Sequence, residues 1–308
     1  MSRRTGLIIF CLAGIIAFSF FAYNLYFSSQ HSSAAGNAFN SSICSANCLS
    51  SPTSPLPTPT ITPTPTSTSQ PLTIPGFKLT WHDEFTGTRL DSSKWYAINN
   101  QGGSQQQICC LGYSYSSLIS PEQLRVHDGM LTITTERNTT GGAAYRTGAI
   151  TTETQSDTPT FAFTYGRIDV RAKLPAGRGV WPAIWLLTSP ATAQVSYEID
   201  MMEMLGQDPH TLYEVVHHGN GREYCTSPGP NYSQGFHIFT LDWEPGKLTW
   251  SIDGQQLCTA TRYVPQQPMY LILNTALSSG SWGEAVNSST PLPQTFDIDY
   301  VRVYKHNS

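Results

Sequence analysis

The stretch Ser196-Tyr197-Glu198-Ile199-Asp200-Met201-Met202-Glu203-Met204 carries three carboxylates within six residues, interleaved with large apolar side chains. In a strand, alternate residues face opposite sides of the sheet. Glu198 and Asp200 then share one face, and Tyr197, Ile199 and Met201 share the other. Glu203 is out of phase with Glu198 by one residue. A regular strand would push that carboxylate into the apolar layer, where an unpaired charge is very costly. One extra residue near Met201 and Met202, a β-bulge, restores the phase and turns all three acids to one side. Such a row of acids suggests a hydrolytic site rather than a stability device.

Outward from this strand the chain keeps a β texture. Short alternating runs appear at residues 131–135, 163–174, 211–217, 236–243, 248–252, 270–274 and 296–304. In the second run Tyr165, Arg167, Asp169 and Arg171 alternate with Ile168, Val170 and Ala172. Asp253-Gly254, directly after residues 248–252, signals a tight hairpin. No long amphipathic helix and no solenoid or propeller repeat is evident. Many short strands at regular spacing predict an all-β fold, an antiparallel sandwich. The 15 Tyr, 13 Phe and 7 Trp suit such a fold. Only 12% of the 308 residues are charged and the formal net charge is −4, which gives no reason to expect a nucleic-acid partner.

The N-terminal part reads differently. Arg3 and Arg4 precede an apolar run over residues 7–27, long enough to cross a bilayer. Arginines before it and no basic cluster after it orient the remainder outward. Residues 1–27 are therefore expected to be an uncleaved signal anchor or a cleaved signal peptide. Residues 28–75 are Ser-, Thr- and Pro-rich and cannot bury enough apolar surface to fold, so they read as an extended stalk. Residues 76–308 form the predicted domain. Beyond Cys11 in the apolar run, Cys44, Cys48, Cys109, Cys110, Cys225 and Cys258 remain, and an even number in an exported chain suggests disulfides with no unique pairing. A zinc site is the weaker reading, because closely spaced CxxC pairs are absent.

Glycoside hydrolysis requires two carboxyl groups about the scissile bond, one protonating the leaving oxygen and the other attacking the anomeric carbon or activating water. With the bulge discounted, Glu198 and Glu203 are four strand steps apart, so their α-carbons lie roughly 13 Å apart and the side chains must lean together. Asp200 between them would raise the pKa of a neighbouring acid by like-charge repulsion. Trp181 and Trp185, four residues apart and so on one face of a strand, could either stack on sugar rings or fill a core.

These residues resemble the signature of glycoside hydrolase family 16 in its bulged, laminarinase-like form. The resemblance extends to Trp81-His82-Asp83-Glu84-Phe85, Leu90-Asp91-Ser92-Ser93-Lys94-Trp95, Tyr165-Gly166-Arg167, Arg171-Ala172-Lys173-Leu174-Pro175, Trp181-Pro182-Ala183-Ile184-Trp185, Phe236-His237, Asp242-Trp243 and Asp299-Tyr300-Val301-Arg302-Val303-Tyr304, over residues 76 to 305. It implies a concanavalin-like jelly roll of two antiparallel sheets with a substrate cleft. It implies Glu198 as nucleophile, Glu203 as general acid/base and Asp200 as the group that tunes the pair. Trp181 and Trp185 would line the cleft, with His217, His237 and Asn274 as polar substrate contacts. The resemblance implies that no cofactor is required for catalysis. A structural calcium is implied at Glu84, Gly129 and Asp299, since hard oxygen ligands suit that ion.

The implied reaction is retaining endo-hydrolysis of β-1,3-glucan or mixed-linkage β-glucan. Agar- or carrageenan-type galactans, transglycosylation, and a non-catalytic glucan-binding module are the alternatives. The expected partner is the polysaccharide, with membrane attachment through an uncleaved N-terminus, and the domain is expected to be a monomer. One departure concerns residues 101–115. The family usually carries a Trp/Asn-rich segment here, whereas this chain has Gln105-Gln106-Gln107 and Cys109-Cys110. That difference bears on the substrate more than on the reaction.

Overall fold

The computed structural model describes residues 72–100, 117–154, 156, 158–190 and 196–307. The N-terminal apolar run, the stalk to residue 71, Cys44, Cys48, Cys109, Cys110 and the 101–115 loop lie outside the described residues. Among the described residues no helix is long and apolar enough to cross a membrane.

Strands numbered in chain order build two sheets. The larger runs β15 (Gln255–Ala260), β14 (Lys247–Ile252), β13 (His237–Glu244), β8 (Gly166–Lys173), β17 (Gln294–His306), β5 (Met130–Arg137), β6 (Tyr145–Thr147) and β3 (Ser117–Ile119). In addition, β1 (Phe77–Asp83) pairs with β17, and β4 (Leu124–His127) pairs with β5. The smaller sheet runs β12 (Gly221–Pro228), β11 (Thr211–His218), β10 (Tyr197–Met204), β9 (Val180–Thr188), β16 (Met269–Leu277), β7 (Ala149–Thr151) and β2 (Tyr96–Ala97). The two-sheet sandwich predicted from alternation is the observed architecture. Apart from β3 with β6, every pairing is antiparallel.

The core follows from period-two patterning. Ile168, Val170 and Ala172 of β8 meet Ile199 and Met202 of β10, and Leu241, Trp250, Leu271 and Val301 join them in one buried cluster. Each such side chain contributes about 1.5–3 kcal/mol relative to exposure. The alternating Arg167, Asp169 and Arg171 point away from this core into a layer of charge pairs. Arg167 and Thr240 both donate to Asp169, at 2.9 and 2.7 Å, and Arg171 donates to Asp299 at 2.6 Å. Gly166 opens β8 with φ 131°, and a β-carbon there would stand 2.2 Å from the Tyr304 carbonyl oxygen of β17. Only glycine tolerates both conditions. Asp253 (φ 50°) and Gly254 (φ 80°) form the predicted two-residue turn between β14 and β15.

The motif segments of the first strand hold one another. Asp83 accepts from the Trp95 indole at 2.9 Å and from the Phe85 amide at 3.0 Å. Cys225 of β12 is bonded to Cys258 of β15, which ties the edge of the smaller sheet to the larger one.

At the positions expected to hold calcium, the carboxylates already have partners. The carboxylate of Glu84 is gripped by both arms of Arg302, at 2.9 and 2.8 Å, and Arg302 itself is buried and lies 3.7 Å over the Tyr300 ring. Asp299 is bound by Arg171. Both Glu84 carboxylate oxygens and Asp299 Oδ2 are thus held by guanidinium groups, and Gly129 occupies the β4–β5 turn with φ 73°.

Candidate active site

The acidic strand β10 is the middle of three consecutive strands, paired on one side with β9 and on the other with β11. Its register contains the bulge. Glu198 faces His217 and Asp200 faces Val215, but Glu203 faces Tyr213, so three residues of β10 span two of β11. Against β9, Asp200 faces Trp185 and Met202 already faces Ile184. Residues 213, 215 and 217 share one face of β11, so Glu198, Asp200 and Glu203 share that face too. Met201 and Met202 absorb the extra residue in the core, where both are buried. A bulge leaves ladder groups without partners. Here the Asp200 carbonyl accepts from the indole of Trp250, on β14 of the opposite sheet, at 2.9 Å.

Burial differs along the row. The Asp200 side chain is buried, whereas Glu198 and Glu203 are half-buried. His217 places Nε2 3.3 Å from Asp200 Oδ2 and 3.8 Å from Glu198 Oε1. The contact to Asp200 is close but off the hydrogen-bond axis. Ligand-type atoms of Glu198, Asp200 and His217 all lie within 4.8 Å of one another. A trio this tight could grip a cation, but the imidazole can supply the positive charge itself. Burial opposes protonation of His217, yet the Asp200 and Glu198 carboxylates outweigh it and raise its pKa.

Glu203 is driven the other way from an ordinary carboxylate. Burial, then the charges of Asp200 and Glu198, push its pKa well above the usual range. Trp181 donates its indole N–H to Glu203 Oε1 at 3.0 Å and partly offsets that rise. Trp181 meets Trp282 edge-on at 4.7 Å, and Tyr213 meets the same ring at 5.0 Å. Three aromatic rings therefore enclose the Glu203 side of the site. Trp282 sits on a loop closed by Ser278, whose hydroxyl donates to the Trp282 carbonyl at 2.6 Å.

The structure brings Glu198, Asp200, Glu203, Trp181 and His217 together. Trp185 is on the same face but is only 6% exposed. Its indole donates to Asn274 Oδ1 at 2.8 Å, and its ring packs in a second apolar cluster with Ile98, Ile119, Leu187, Tyr270 and Ile272. It holds Asn274 and offers little ring to a sugar, because Ile98 and Ile119 pack against it. His237 is not brought to the acids. It lies on β13 of the other sheet and binds Asp253 Oδ2 at 2.7 Å. Tyr213, Trp282 and Trp250 escaped the sequence reading. Tyr213 was within reach, being in phase with His217. Trp282 lies in a Ser/Gly loop with no period, and Trp250 resembles any core tryptophan.

Comparison with known proteins agrees with this geometry. The glycosyl hydrolases family 16 profile matches residues 112–302. A glucan endo-1,3-beta-glucosidase A1 of Niallia circulans is 32% identical, covering 75% of this chain and 38% of that protein. A beta-glucanase of Rhodothermus marinus is 31% identical over 75% of this chain and 86% of its own length. The chain thus spans well under half of the first relative and most of the second. The laminarinase catalytic domain of Thermotoga maritima MSB8 superposes with a TM-score of 0.67 at 30% identity, covering 75% of this chain and 99% of that domain. With its bulged acidic strand seated on a two-sheet sandwich, the chain belongs to glycosyl hydrolase family 16.

Proposed function

We propose that the domain is an endo-β-glucanase that cleaves β-1,3-glucan, or mixed-linkage β-glucan, with retention of anomeric configuration. The observation that carries this reading is one row of acids on a single face, with the His217 imidazole beside Glu198 and the Trp181 indole on Glu203. Glu203 is held toward its neutral, proton-donating form by burial and by the Asp200 and Glu198 charges. Glu198 stands beside an imidazole held toward its cationic form, which favours a carboxylate. A neutral acid and an ionised nucleophile on one face are what a double displacement needs.

Glu203 donates its proton to the glycosidic oxygen as Glu198 bonds to the anomeric carbon and the leaving sugar departs. Glu203, now ionised, takes a proton from water, whose oxygen displaces Glu198 and regenerates the acid. Asp200 lies between the two, with His217 Nε2 3.3 Å from its Oδ2. The names of the similar proteins support β-glucan as the substrate. The apolar run after Arg3 and Arg4 and the Thr-Pro stalk support an exported domain, secreted or held at a membrane.

The test is a panel of laminarin, lichenan, xyloglucan, agarose and carrageenan with product sizing and product-anomer analysis by NMR, run on wild type, Glu198→Gln and Glu203→Gln. Laminarin or lichenan should be cut internally to β-anomeric products, and each variant should lose hydrolysis while keeping its fold. Full activity in either variant, or first products of the α-form, would sink the mechanism.

A further inference from the structure

The face that carries the acids does not end at β11. Register continues it across to the edge strand β12. Arg222 faces His217, which faces Glu198. Tyr224 faces Val215, which faces Asp200. Thr226 faces Tyr213, which faces Glu203. Directly opposed residues lie on the same side of a sheet, so Arg222, Tyr224 and Thr226 extend the catalytic face by two strand spacings, about 10 Å.

This extension differs from the other flank. Toward β16 and β7 the face is roofed by Ile98 and Ile119. Toward β12 the described residues leave it exposed. Arg222, Tyr224 and Thr226 are all exposed. Tyr224 is 60% exposed, and only Leu72 joins it among the exposed large apolar side chains of the described residues. The Arg222 guanidinium lies 5.5 Å from the centre of the Tyr224 ring and steadies it.

The reverse side of β12 is fastened down. Cys225 is bonded to Cys258. Glu223 accepts from the amides of Thr261 and Arg262, at 3.0 and 2.7 Å. Ser227 donates to the buried Glu214 at 2.8 Å. An edge strand held this firmly, with an exposed aromatic ring on the catalytic side, is a rigid platform.

We propose that Tyr224 and Arg222 form a sugar-binding platform that receives a β-glucan chain running past the catalytic strand. The tyrosine ring stacks on the apolar face of a pyranose, and the guanidinium donates to ring hydroxyls. This assignment rests on the β-glucanase reading. It commits the open flank, toward β12, to chain-length recognition: a polymer cut at any internal bond covers the platform, whereas a trisaccharide bound at the acids reaches it in at most one register.

The experiment compares kcat/KM for laminarin with kcat/KM for laminaritriose in wild type, Tyr224→Ala and Tyr224→Trp. The ratio of the two values isolates the platform from any general loss of activity. In Tyr224→Ala the polymer-to-trisaccharide ratio falls about tenfold, the equivalent of ~1.4 kcal/mol of lost contact, and Tyr224→Trp restores it to within about twofold of wild type. A Tyr224→Ala ratio within about twofold of wild type overturns the platform, even if both rates fall together. Wild type that cleaves neither substrate refutes the β-glucanase reading, and the platform as a glucan site falls with it.

Discussion

Replacing Trp181 by Phe should move the basic limb of the pH profile upward. Trp181 Nε1 donates to Glu203 Oε1 at 3.0 Å. That bond favours the charged carboxylate, and it works against the burial and the Asp200 and Glu198 charges that raise the Glu203 pKa. Phenylalanine keeps a ring against Trp282 but removes the donor. A hydrogen bond to a charged group is worth about 1.5–3 kcal/mol, and one pH unit corresponds to 1.36 kcal/mol. The full loss would be about 1–2 units. Glu203 is half-buried, so water replaces part of the bond and the expected shift is about one unit upward. The profile of kcat/KM reports the free enzyme, and its basic limb reports the acid that must be protonated. Laminarin hydrolysis measured from about pH 4 to 9 in wild type and Trp181→Phe reads the shift directly, whatever happens to the plateau rate. A basic limb that stays put or moves to lower pH would refute the claim that Trp181 restrains the protonation of Glu203.

Glu214 carries a stability prediction. It is buried between the sheets, and burial raises its pKa from 4.5 to about 7, with the Ser227 hydrogen bond partly opposing. Its folded pKa is the higher one, so its contribution is fully present below about pH 4.5 and is lost as pH rises through about 7. That difference of about 2.5 units is worth ~3 kcal/mol. Urea unfolding should show Glu214→Gln more stable than wild type by up to ~3 kcal/mol near pH 8, with the gain gone near pH 4, and an equal difference at both would contradict the assignment. Trp250→Phe leaves the buried Asp200 carbonyl without its donor and should cost about 1–3 kcal/mol, with kcat falling more than KM rises. Glu84→Ala strands the buried Arg302 and should cost about 3 kcal/mol, whereas calcium or a chelator should shift the Tm by less than about 1 °C.

The sheets were legible because each strand alternates strongly enough to declare its faces. Residues 163–174 predicted β8 from three apolar positions set against three charged ones. The bulge was legible as a misfit: a carboxylate in the wrong phase is too costly to bury, so the strand had to gain a residue. What the sequence hid was always a partner far along the chain. Trp185 has the phase of a cleft residue, yet short segments near residues 98 and 119 cover it. Glu84 and Asp299 have the chemistry of calcium ligands, but Arg302 and Arg171 reach them first across the sheet. His237 belongs to a strand whose sheet membership depends on pairing with β8, which no local pattern encodes. Trp282 contributes through a loop, where side-chain direction has no period.

The hydrogen bond from Trp250 to the Asp200 carbonyl spans the interior of the sandwich, and it gives the site a mechanical property. The two sheets are otherwise joined there by close-packed apolar contacts, which carry no preferred direction of their own. A directional bond at the bulge resists that slide at the point where the carboxylates are spaced. Any bending of the acid-bearing sheet as a polysaccharide settles on it must pull on β14, and the charge-paired outer layer of the far sheet becomes a brace for that strain. Substitutions on that distant surface, with no access to substrate, can therefore tune how stiffly Glu198 and Glu203 are held apart.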